Sequence, residues 1–260
     1  YAMHAQNNGA TATTLLNICQ MPWYIEPSTN DGKHKDSKQK FICSIMHMRM
    51  HRNKDVCFVI PHRDRHEHLR ILLHTLQGQH VCVVHQSDQC KFNRGALLNI
   101  GFMHTHAPKV VFHDCDLVPN TEMMHMYMGP WPDDIVHFGC RFSRYNNTNT
   151  YFGGVTGFKR HAFPGFSNRY WGWGGEDDSL LKRCKHTRIY RPRNGRYTDL
   201  EFLPTVQDKL NTLTHNNKCT DKWEVRDSEV FNDSDNHYTI AHVPVHKTII
   251  DGVLHIRADL

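Results

Sequence analysis

Three neighbouring acids close a stretch rich in glycine and tryptophan, residues 170–178 (YWGWGGEDD). The acids are Glu176, Asp177 and Asp178. Trp171 and Trp173 offer flat apolar faces suited to a sugar ring, and the glycines give the backbone conformations closed to other residues. A carboxylate at the predicted start of a helix could take a proton from a substrate hydroxyl. The structural alternative is a buried aromatic turn followed by acids that complement the helix dipole.

A second pair of acids, Asp114 and Asp116, directly follows an apolar segment and flanks a single residue. Alternation along a strand would direct both side chains to one face, so that both could bind one cation. Carboxylate oxygens suit Mg²⁺ or Mn²⁺ holding a diphosphate, and nearby arginines could neutralise phosphate charge. The arginines in question are Arg63, Arg65 and Arg94. Taken alone, the acidic pair is more typical of a polar strand exit whose charges form solvated ion pairs.

Alternating strands and helices are predicted to position these side chains. Three short apolar runs are typical of strands buried on both faces, namely residues 56–60, 81–84 and 109–113. The first intervening helix has leucines at i, i+3, i+4 and i+7. We expect a capping box of Asp64 and Glu67 to begin this helix and Gly78 to end it. A second helix is predicted over residues 95–106.

This β-α-β-α-β order indicates an α/β fold with a mostly parallel sheet, in which ligands bind beyond the carboxyl ends of the strands. The arginines and the two acids fall at those ends. Paired glycines within residues 151–157 would let the backbone approach a ligand closely. The sequence predicts a single domain after an irregular N-terminal segment, residues 1–54. The later elements that we predict are a strand over 135–142, a helix over 179–186 and strands over 238–245 and 248–256.

Composition limits the classes of function. The chain has 260 residues, 39% of them hydrophobic, and a formal net charge of +5 without a Lys/Arg run typical of a nucleic-acid arm. No apolar run reaches the roughly 18–20 residues that span a bilayer, and no stretch resembles a signal peptide. The nine cysteines contain no CxxC pair, which argues against a zinc ribbon and leaves disulfide pairing open. The 22 histidines indicate sensitivity to mildly acidic pH.

Five motifs, taken in order, resemble the beta-1,4-galactosyltransferase family. They are VIPHRDR (59–65), KFNRGALLNIGF (91–102), HDCDLVP (113–119), YFGGV (151–155) and WGWGGEDD (171–178). Their order and spacing make the resemblance specific, and it covers residues 55–195. The histidine before the D-x-D and the FNRGAL stretch are most similar to the branch that galactosylates xylose in the proteoglycan linker.

The resemblance implies a GT-A fold, a UDP-galactose donor, Mn²⁺ with Mg²⁺ as the alternative ion, and inversion at the anomeric carbon. It also implies a lumenal Golgi domain carried by a type II membrane anchor outside this sequence. The catalytic domain, residues 55–260, would divide into a nucleotide-sugar and metal half (55–120) and an acceptor half (121–260). The donor-binding positions that the resemblance assigns are Pro61, Arg63, Arg65, Phe92, Arg94, Asp114, Asp116 and Trp173.

On the acceptor side, the resemblance assigns Asp177 as the catalytic base and Trp173 as the tryptophan of a mobile loop. Tyr151 matches the position that restricts the donor to galactose, because family members that use N-acetylgalactosamine carry a smaller residue there. The acceptor-binding positions are Glu176, Asp178, Tyr151, Trp173 and Gly154. The acceptor sugar itself stays open between xylose, glucose, N-acetylglucosamine and others.

The metal site departs from the family pattern. Asp116 matches the metal ligand of the D-x-D motif, but Phe202 stands where the family usually has a second ligand, a histidine. Asp199 is the nearest oxygen donor and is our preferred replacement, with His215 and His242 as further candidates.

Two other functions therefore remain open at the level of sequence. One is a related transferase that uses UDP-N-acetylgalactosamine or UDP-glucose, against which Tyr151 argues. The other is a sugar-binding module with weak catalysis, which the missing histidine favours. All three hypotheses share a UDP-sugar or glycan as the partner and exclude nucleic acid.

Overall fold

The computed structural model describes residues 54–141, 151–203, 205, 207–208, 211 and 242–260. The predicted irregular segment at residues 1–54 therefore lies almost wholly outside the described residues, as does the predicted strand over 238–245 up to residue 241. Among the described residues, no helix is long and apolar enough to cross a membrane.

The described residues include ten strands and four α-helices. The strands are β1 Val56–His62, β2 His80–Gln86, β3 Lys109–His113, β4 Leu117–Pro119, β5 Ile135–His137, β6 Val155–Lys159, β7 Ile189–Tyr190, β8 Tyr197–Asp199, β9 Val245–Ile250 and β10 Val253–Ala258. The helices are α1 His66–Thr75, α2 Arg94–Met103, α3 Thr121–Met128 and α4 Glu176–Arg183. Single 3-10 turns cover Phe138–Arg141 and Arg160–Ala162.

Eight strands form one sheet in the order β7-β5-β6-β3-β1-β2-β10-β9. The strands β1, β2 and β3 run parallel, as the β-α-β-α-β pattern predicts, and β10 extends this parallel centre beside β2. The strands β6 and β9 pair antiparallel with β3 and β10. The two remaining strands, β4 and β8, form a separate antiparallel ribbon, of which β4 follows directly after β3 in the chain. The carboxyl ends of β1, β2 and β3 therefore meet at one edge, where the candidate arginines and acids begin.

Helices pack on both faces of the sheet, and the alternating side chains of β1 contact both layers. Cys57 and Val59 point into a core that includes α2, whereas Phe58 and Ile60 point into a core that includes α1. All four of these side chains are buried. A strand with apolar residues at every position contributes side chains to both cores, which explains why the apolar run at residues 56–60 is continuous.

Several local predictions differ from the structure. The capping box is wrong, because α1 begins after Arg65 without a side-chain cap and Asp64 adopts a left-handed backbone conformation, φ 57°. The strand predicted over 135–142 ends at His137, because the chain then turns into a 3-10 helix. The strand β6 and the helix α3 were missed. The last two strands lie further along than predicted, since their hairpin turns at Asp251 and Gly252.

Candidate active site

One buried arginine joins the two halves of the predicted site. Arg94 follows Asn93, whose side chain caps α2 by accepting a hydrogen bond from the Ala96 amide. The Arg94 Nε donates to Asp114 Oδ1 at 2.6 Å, and a terminal nitrogen donates to Asp177 Oδ1 at 2.8 Å. Asp114 comes from the end of β3 and Asp177 from the first turn of α4, so the guanidinium ties two distant segments together.

A third carboxylate completes this cluster. Glu176 Oε1 lies 3.6 Å from the same terminal nitrogen of Arg94. Burial alone would lower the pKa of Arg94, but the charges of Asp114, Asp177 and Glu176 outweigh it and raise that pKa above its ordinary value. Arg94 is therefore a permanent cation that three acids share.

The two acids of α4 are poised to hold a proton. Burial, followed by the charge of Asp177, raises the pKa of Glu176 to about 8. Burial also raises the pKa of Asp177, although Arg94 opposes the shift. Because the pair is buried and its members repel each other, Glu176 carries a proton at neutral pH while Asp177, bound by Arg94, is the carboxylate that ionises first.

The glycine pair at 153–154 packs directly against this cluster. A Cβ on Gly153 would collide with Asp177 Oδ2 and would come within 2.9 Å of the Tyr151 ring. The Gly153 carbonyl accepts a hydrogen bond from His137 Nε2 at 3.0 Å, and Gly154, φ 75°, accepts one from the Asp114 amide at 2.9 Å. Gly153 therefore brings the backbone close to the side chains of Asp177 and Tyr151. The approach of both glycines to a ligand stays a prediction.

A second cluster lies around Arg65. Its guanidinium is 2.5 Å from Glu201 Oε1 and 3.7 Å from Asp116 Oδ2. Asp116, Asp199 and Glu201 can each offer a carboxylate oxygen such that all three oxygens lie within 4.8 Å of one another. The β4–β8 ribbon explains this convergence, because it pairs Leu117 directly with Asp199. A group of three carboxylates with oxygen ligands suits Mn²⁺ or Mg²⁺.

The structure separates the two acids of the D-x-D motif. Asp114 binds Arg94, whereas Asp116 faces Arg65 and the carboxylates of the ribbon. The expectation that both reach one cation is therefore wrong for Asp114. The reason is that β3 ends at His113 and residues 115–116 form a turn, so strand alternation does not apply.

The other metal candidates predicted from the sequence are Asp199, His215 and His242. Asp199 lies in the carboxylate cluster, whereas His215 lies outside the described residues. His242 is exposed, and among the residues that the structure covers it joins no such cluster. Phe202 is 77% exposed with φ 53°, and its apolar side chain offers no metal ligand in place of histidine.

A chain of hydrogen bonds connects the segments that carry Asp114 and the carboxylate cluster. His113 Nδ1 donates to the Asp114 carbonyl, since that oxygen can only accept, and Nε2 then accepts from Tyr127 at 3.1 Å. Tyr127 in turn accepts from Tyr197 at 2.5 Å. The chain joins β3, α3 and β8, and burial lowers the pKa of His113 to about 4, which keeps this imidazole neutral.

The remaining donor candidates lie near the ends of β1 and β2. Arg63 stacks over the Phe92 ring at 5.3 Å and donates to the Cys90 carbonyl, while Pro61 is buried within β1. The Phe92 carbonyl accepts a hydrogen bond from the Gly172 amide, which ties the tryptophan loop to this region. Three glycines of that loop have positive φ, at 92°, 95° and 96°, which explains their presence. They are Gly172, Gly174 and Gly175.

Comparison with known proteins agrees with this arrangement. The family model described as the N-terminal region of glycosyl transferase group 7 matches residues 43–129. The model described as the N-terminal domain of galactosyltransferase matches residues 135–202. The chain belongs to the beta-1,4-galactosyltransferase family.

Among curated members of the family, mouse beta-1,4-galactosyltransferase 4 is 40% identical over 163 residues, which cover 55% of this chain and 47% of the relative. Beta-1,4-galactosyltransferase 2 of Cricetulus griseus is 33% identical over 196 residues, which cover 65% and 52%. The chain thus spans about half the length of the curated relatives that it matches.

A solved family structure shows the same fold. The catalytic domain of Drosophila beta1,4galactosyltransferase 7, crystallised with xylobiose, has a TM-score of 0.59 and 24% identity, over 78% of this chain and 92% of that one. This confirms the expected GT-A fold with a central sheet and flanking helices. The sub-branch stays a prediction, because the two sequence relatives above belong to other members of the beta-1,4-galactosyltransferase family.

Sequence reasoning missed three features of the family site. Glu201 was overlooked because it neighbours the unmatched Phe202, although an acid two residues from Asp199 was a visible signal. Gly153 was expected to approach a ligand, and its close packing against Asp177 was not foreseen. The Tyr127–Tyr197 contact joins residues 70 positions apart and leaves no local pattern. Asp178 and Trp173 lie half-buried beside the cluster, and their assigned roles stay predictions.

Proposed function

We propose that the protein transfers galactose from UDP-galactose to a sugar hydroxyl in β-1,4 linkage, with inversion and with Mn²⁺. The curated relatives are named beta-1,4-galactosyltransferases. The observation that carries the proposal is the single guanidinium that binds both Asp114 of the donor side and Asp177 of the acceptor side. Such a bridge fixes a proton acceptor next to the place where a donor sugar must lie.

The reaction is a single displacement. An acceptor hydroxyl attacks the anomeric carbon of galactose, the bond from that carbon to the UDP oxygen breaks, and Asp177 accepts the hydroxyl proton. Arg94 keeps the Asp177 carboxylate ionised and oriented. Glu176, holding its own proton, can donate a hydrogen bond to the acceptor, and a glycine-hinged loop bearing Trp173 would exclude water that hydrolyses the donor.

The residues present fit a divalent cation. Asp116, Asp199 and Glu201 would hold it, and the oxygen-only set suits Mn²⁺, with Mg²⁺ as the alternative. When bound, such an ion stabilises negative charge on the departing diphosphate. Arg65 already neutralises part of this carboxylate charge and is placed to contact the diphosphate as well.

The remaining assignments follow from position. Pro61, Arg63 and Phe92 lie at the strand ends where the nucleotide would bind, and Tyr151 would restrict the donor to galactose. Gly154 and Asp178 would line the acceptor side. The Drosophila enzyme was crystallised with manganese, UDP-Gal and xylobiose, and the acceptor of this chain is proposed only as a glycan.

The first test is a panel of UDP-galactose, UDP-N-acetylgalactosamine and UDP-glucose, assayed for transfer and hydrolysis with and without Mn²⁺. We expect turnover with UDP-galactose that depends on the metal. Turnover with another donor alone would identify a related transferase. Absence of turnover together with absence of metal-dependent UDP binding would leave the sugar-binding module.

The second test is Asp177→Asn, which removes the proton acceptor but keeps the shape of the side chain. Transfer should fall by about 10³-fold or more, while calorimetry should find UDP-galactose affinity unchanged. Asp134→Asn is the matched control, since Asp134 forms an exposed ion pair with Lys159. Near-normal turnover by Asp177→Asn would exclude Asp177 as the base.

The proposal extends to location, a Golgi lumenal domain attached by a type II anchor outside this sequence. Family membership supports this placement. Protease protection of the full-length tagged protein in intact vesicles is the measurement, and cleavage without detergent would contradict it.

A further inference from the structure

One part of the surface carries a concentration of positive charge that the proposed chemistry does not use. Residues 179–198 contain seven Lys or Arg residues and no Asp or Glu. These seven charges exceed the formal net charge of the whole chain, +5, so the rest of the chain is net negative. Five of them are exposed and form what we call the basic strip. They are Lys182, Lys185, Arg188, Arg193 and Arg196.

The backbone beneath the basic strip is held at several points. The strand β7 pairs with β5 at the edge of the large sheet. The Pro192 carbonyl accepts from the Cys140 thiol, and the amides of Gly195 and Arg196 donate to the side chains of Glu122 and Asn120. The positive side chains therefore project from a fixed support, which reduces the entropy lost when an anion binds.

The ion pair between Asp133 and Arg188 leaves most of the Arg188 charge available to a ligand. Asp133 lies 3.4 Å from Arg188, whose side chain is nevertheless 84% exposed, so this pair contributes little binding energy. Glu122 accepts the Gly195 amide. Tyr190 lies within the strip and is 37% exposed, which offers an aromatic face beside the cations.

The basic strip is continuous with both sides of the active site. It begins at Lys182 in the last turn of α4, five residues after Asp177 or about 7.5 Å along the helix axis. It ends at Arg196, three residues before Asp199, or about 10 Å along an extended chain. An acceptor longer than one sugar could therefore reach from the catalytic carboxylates to the strip.

We propose that the basic strip is an extended subsite for glycan acceptors that carry sulfate or carboxylate groups. This inference rests on the proposed transfer reaction and adds the class of acceptor. Arginine presents paired N–H donors that match sulfate and carboxylate oxygens, whereas a neutral sugar would need no such cluster. Among the described residues, the exposed Ile249 and Ile250 lie on β9 and the exposed Phe202 lies beyond Asp199. Tyr190 alone does not form the apolar belt that a membrane surface would require.

The test compares a sulfated oligosaccharide with its desulfated counterpart, using the whole protein. A variant with Lys185, Arg188, Arg193 and Arg196 each changed to Gln should bind the sulfated probe about tenfold more weakly in calorimetry. Its KM for a sulfated acceptor should rise by a similar factor while kcat stays unchanged. The KM for a neutral monosaccharide acceptor should not change. Wild-type binding should weaken as salt increases.

The control variant changes the same number of exposed basic residues elsewhere, namely Lys54, Arg70, Lys247 and Arg257. It should bind the sulfated probe normally. Equal affinity for the sulfated and desulfated probes, normal binding by the strip variant, or equally tight binding of single-stranded DNA or anionic vesicles would each overturn the inference. If strip-dependent binding persists but no donor supports transfer, the proposed reaction fails and the strip is a binding surface without an acceptor role.

Discussion

At the scale of single residues, the site depends on how closely the backbone of Gly153 approaches Asp177. Its φ is not in the left-handed region, so alanine suits the backbone, and only the side chains of Asp177 and Tyr151 would have to move. Gly153→Ala should therefore displace Asp177, the proposed proton acceptor, and reduce kcat by about 100-fold, because small errors in the position of a catalytic group are costly.

Steady-state transfer assays, with UDP binding measured by calorimetry, test this prediction. UDP affinity should be unchanged, since the new Cβ would meet Asp177 and Tyr151 first. Gly129→Ala serves as the control, because a Cβ there meets the His125 carbonyl at 3.1 Å, away from the catalytic acids. A Gly153→Ala variant with full kcat would show that Asp177 tolerates displacement.

The protonation of Glu176 gives a second prediction at this scale. Burial and the charge of Asp177 raise the pKa of Glu176 to about 8, and burial raises that of Asp177. The rate should rise with pH as Asp177 ionises and fall again near pH 8 as Glu176 loses its proton. Because the two carboxyl groups interact, both limbs of the pH profile reflect the titration of the pair. Glu176→Gln should retain the first limb and lose the second, which a pH profile of kcat reveals. A wild-type profile without a limb near pH 8 would contradict this assignment.

At the scale of secondary-structure elements, the β4–β8 ribbon decides the metal site. It carries Asp199 and brings Glu201 to Asp116, and the His113–Tyr127–Tyr197 chain fixes it against β3. Tyr127→Phe leaves the acceptor nitrogen of His113 and the hydroxyl of Tyr197 without this partner. We expect a loss of about 1–3 kcal/mol in the free energy of unfolding and a measurably weaker Mn²⁺ affinity.

Titration with Mn²⁺ followed by electron paramagnetic resonance measures the affinity, and thermal denaturation measures the stability. Tyr190→Phe removes a hydroxyl from an exposed tyrosine and should change neither. Reduced stability with unchanged Mn²⁺ affinity would show that the chain holds the core but does not position the carboxylates.

The elements also show what periodicity can reveal. The strands β1, β2 and β3 were predictable because each is a continuous apolar run buried on both faces, and α1 because its leucines recur with helical spacing. The strand β6 was not, since glycines at its start and within it resemble a turn. Gly157 is needed there because a Cβ would collide with Phe138 and Trp131, a requirement set by distant residues.

At the scale of the whole molecule, buried imidazoles couple stability to pH. Burial lowers the pKa of His113 to about 4 and of His137 to about 3, from an ordinary value of 6.5. The unfolded chain therefore binds more protons than the folded chain below pH 6.5, and stability is lost as pH falls from about 6.5 towards 4. Burial shifts three more histidines in the same direction. They are His62, His85 and His255, joined by hydrogen bonds across β1, β2 and β10.

Glu176 acts in the opposite sense, because its raised pKa adds stability as pH falls from 8 towards 4.5. At pH 5.5, His113 and His137 should each reduce the free energy of unfolding by about 1 kcal/mol or more. In the wild type, Glu176 offsets most of this loss, so the histidine effect is isolated in Glu176→Gln, whose melting temperature should fall by roughly 4–8 °C between pH 7.5 and 5.5. Calorimetric scans test this, and adding His85→Gln should reduce the fall while adding the exposed His161→Gln should not. A constant melting temperature of Glu176→Gln would contradict the prediction.

The sequence alone determined the α/β class, the parallel centre of the sheet, the family and the acids and arginines from which the site is built. Those features are local, because hydrophobic periodicity and short motifs record which backbone conformation a segment prefers. The tertiary structure decided which charges meet. It assigned Asp114 to Arg94 and Asp116 to the ribbon, recruited Glu201 where a histidine was expected, and placed Gly153 against Asp177. Contacts of this kind join segments far apart in the chain, so they depend on how the sheet, helices and ribbon pack and leave no pattern within any one segment.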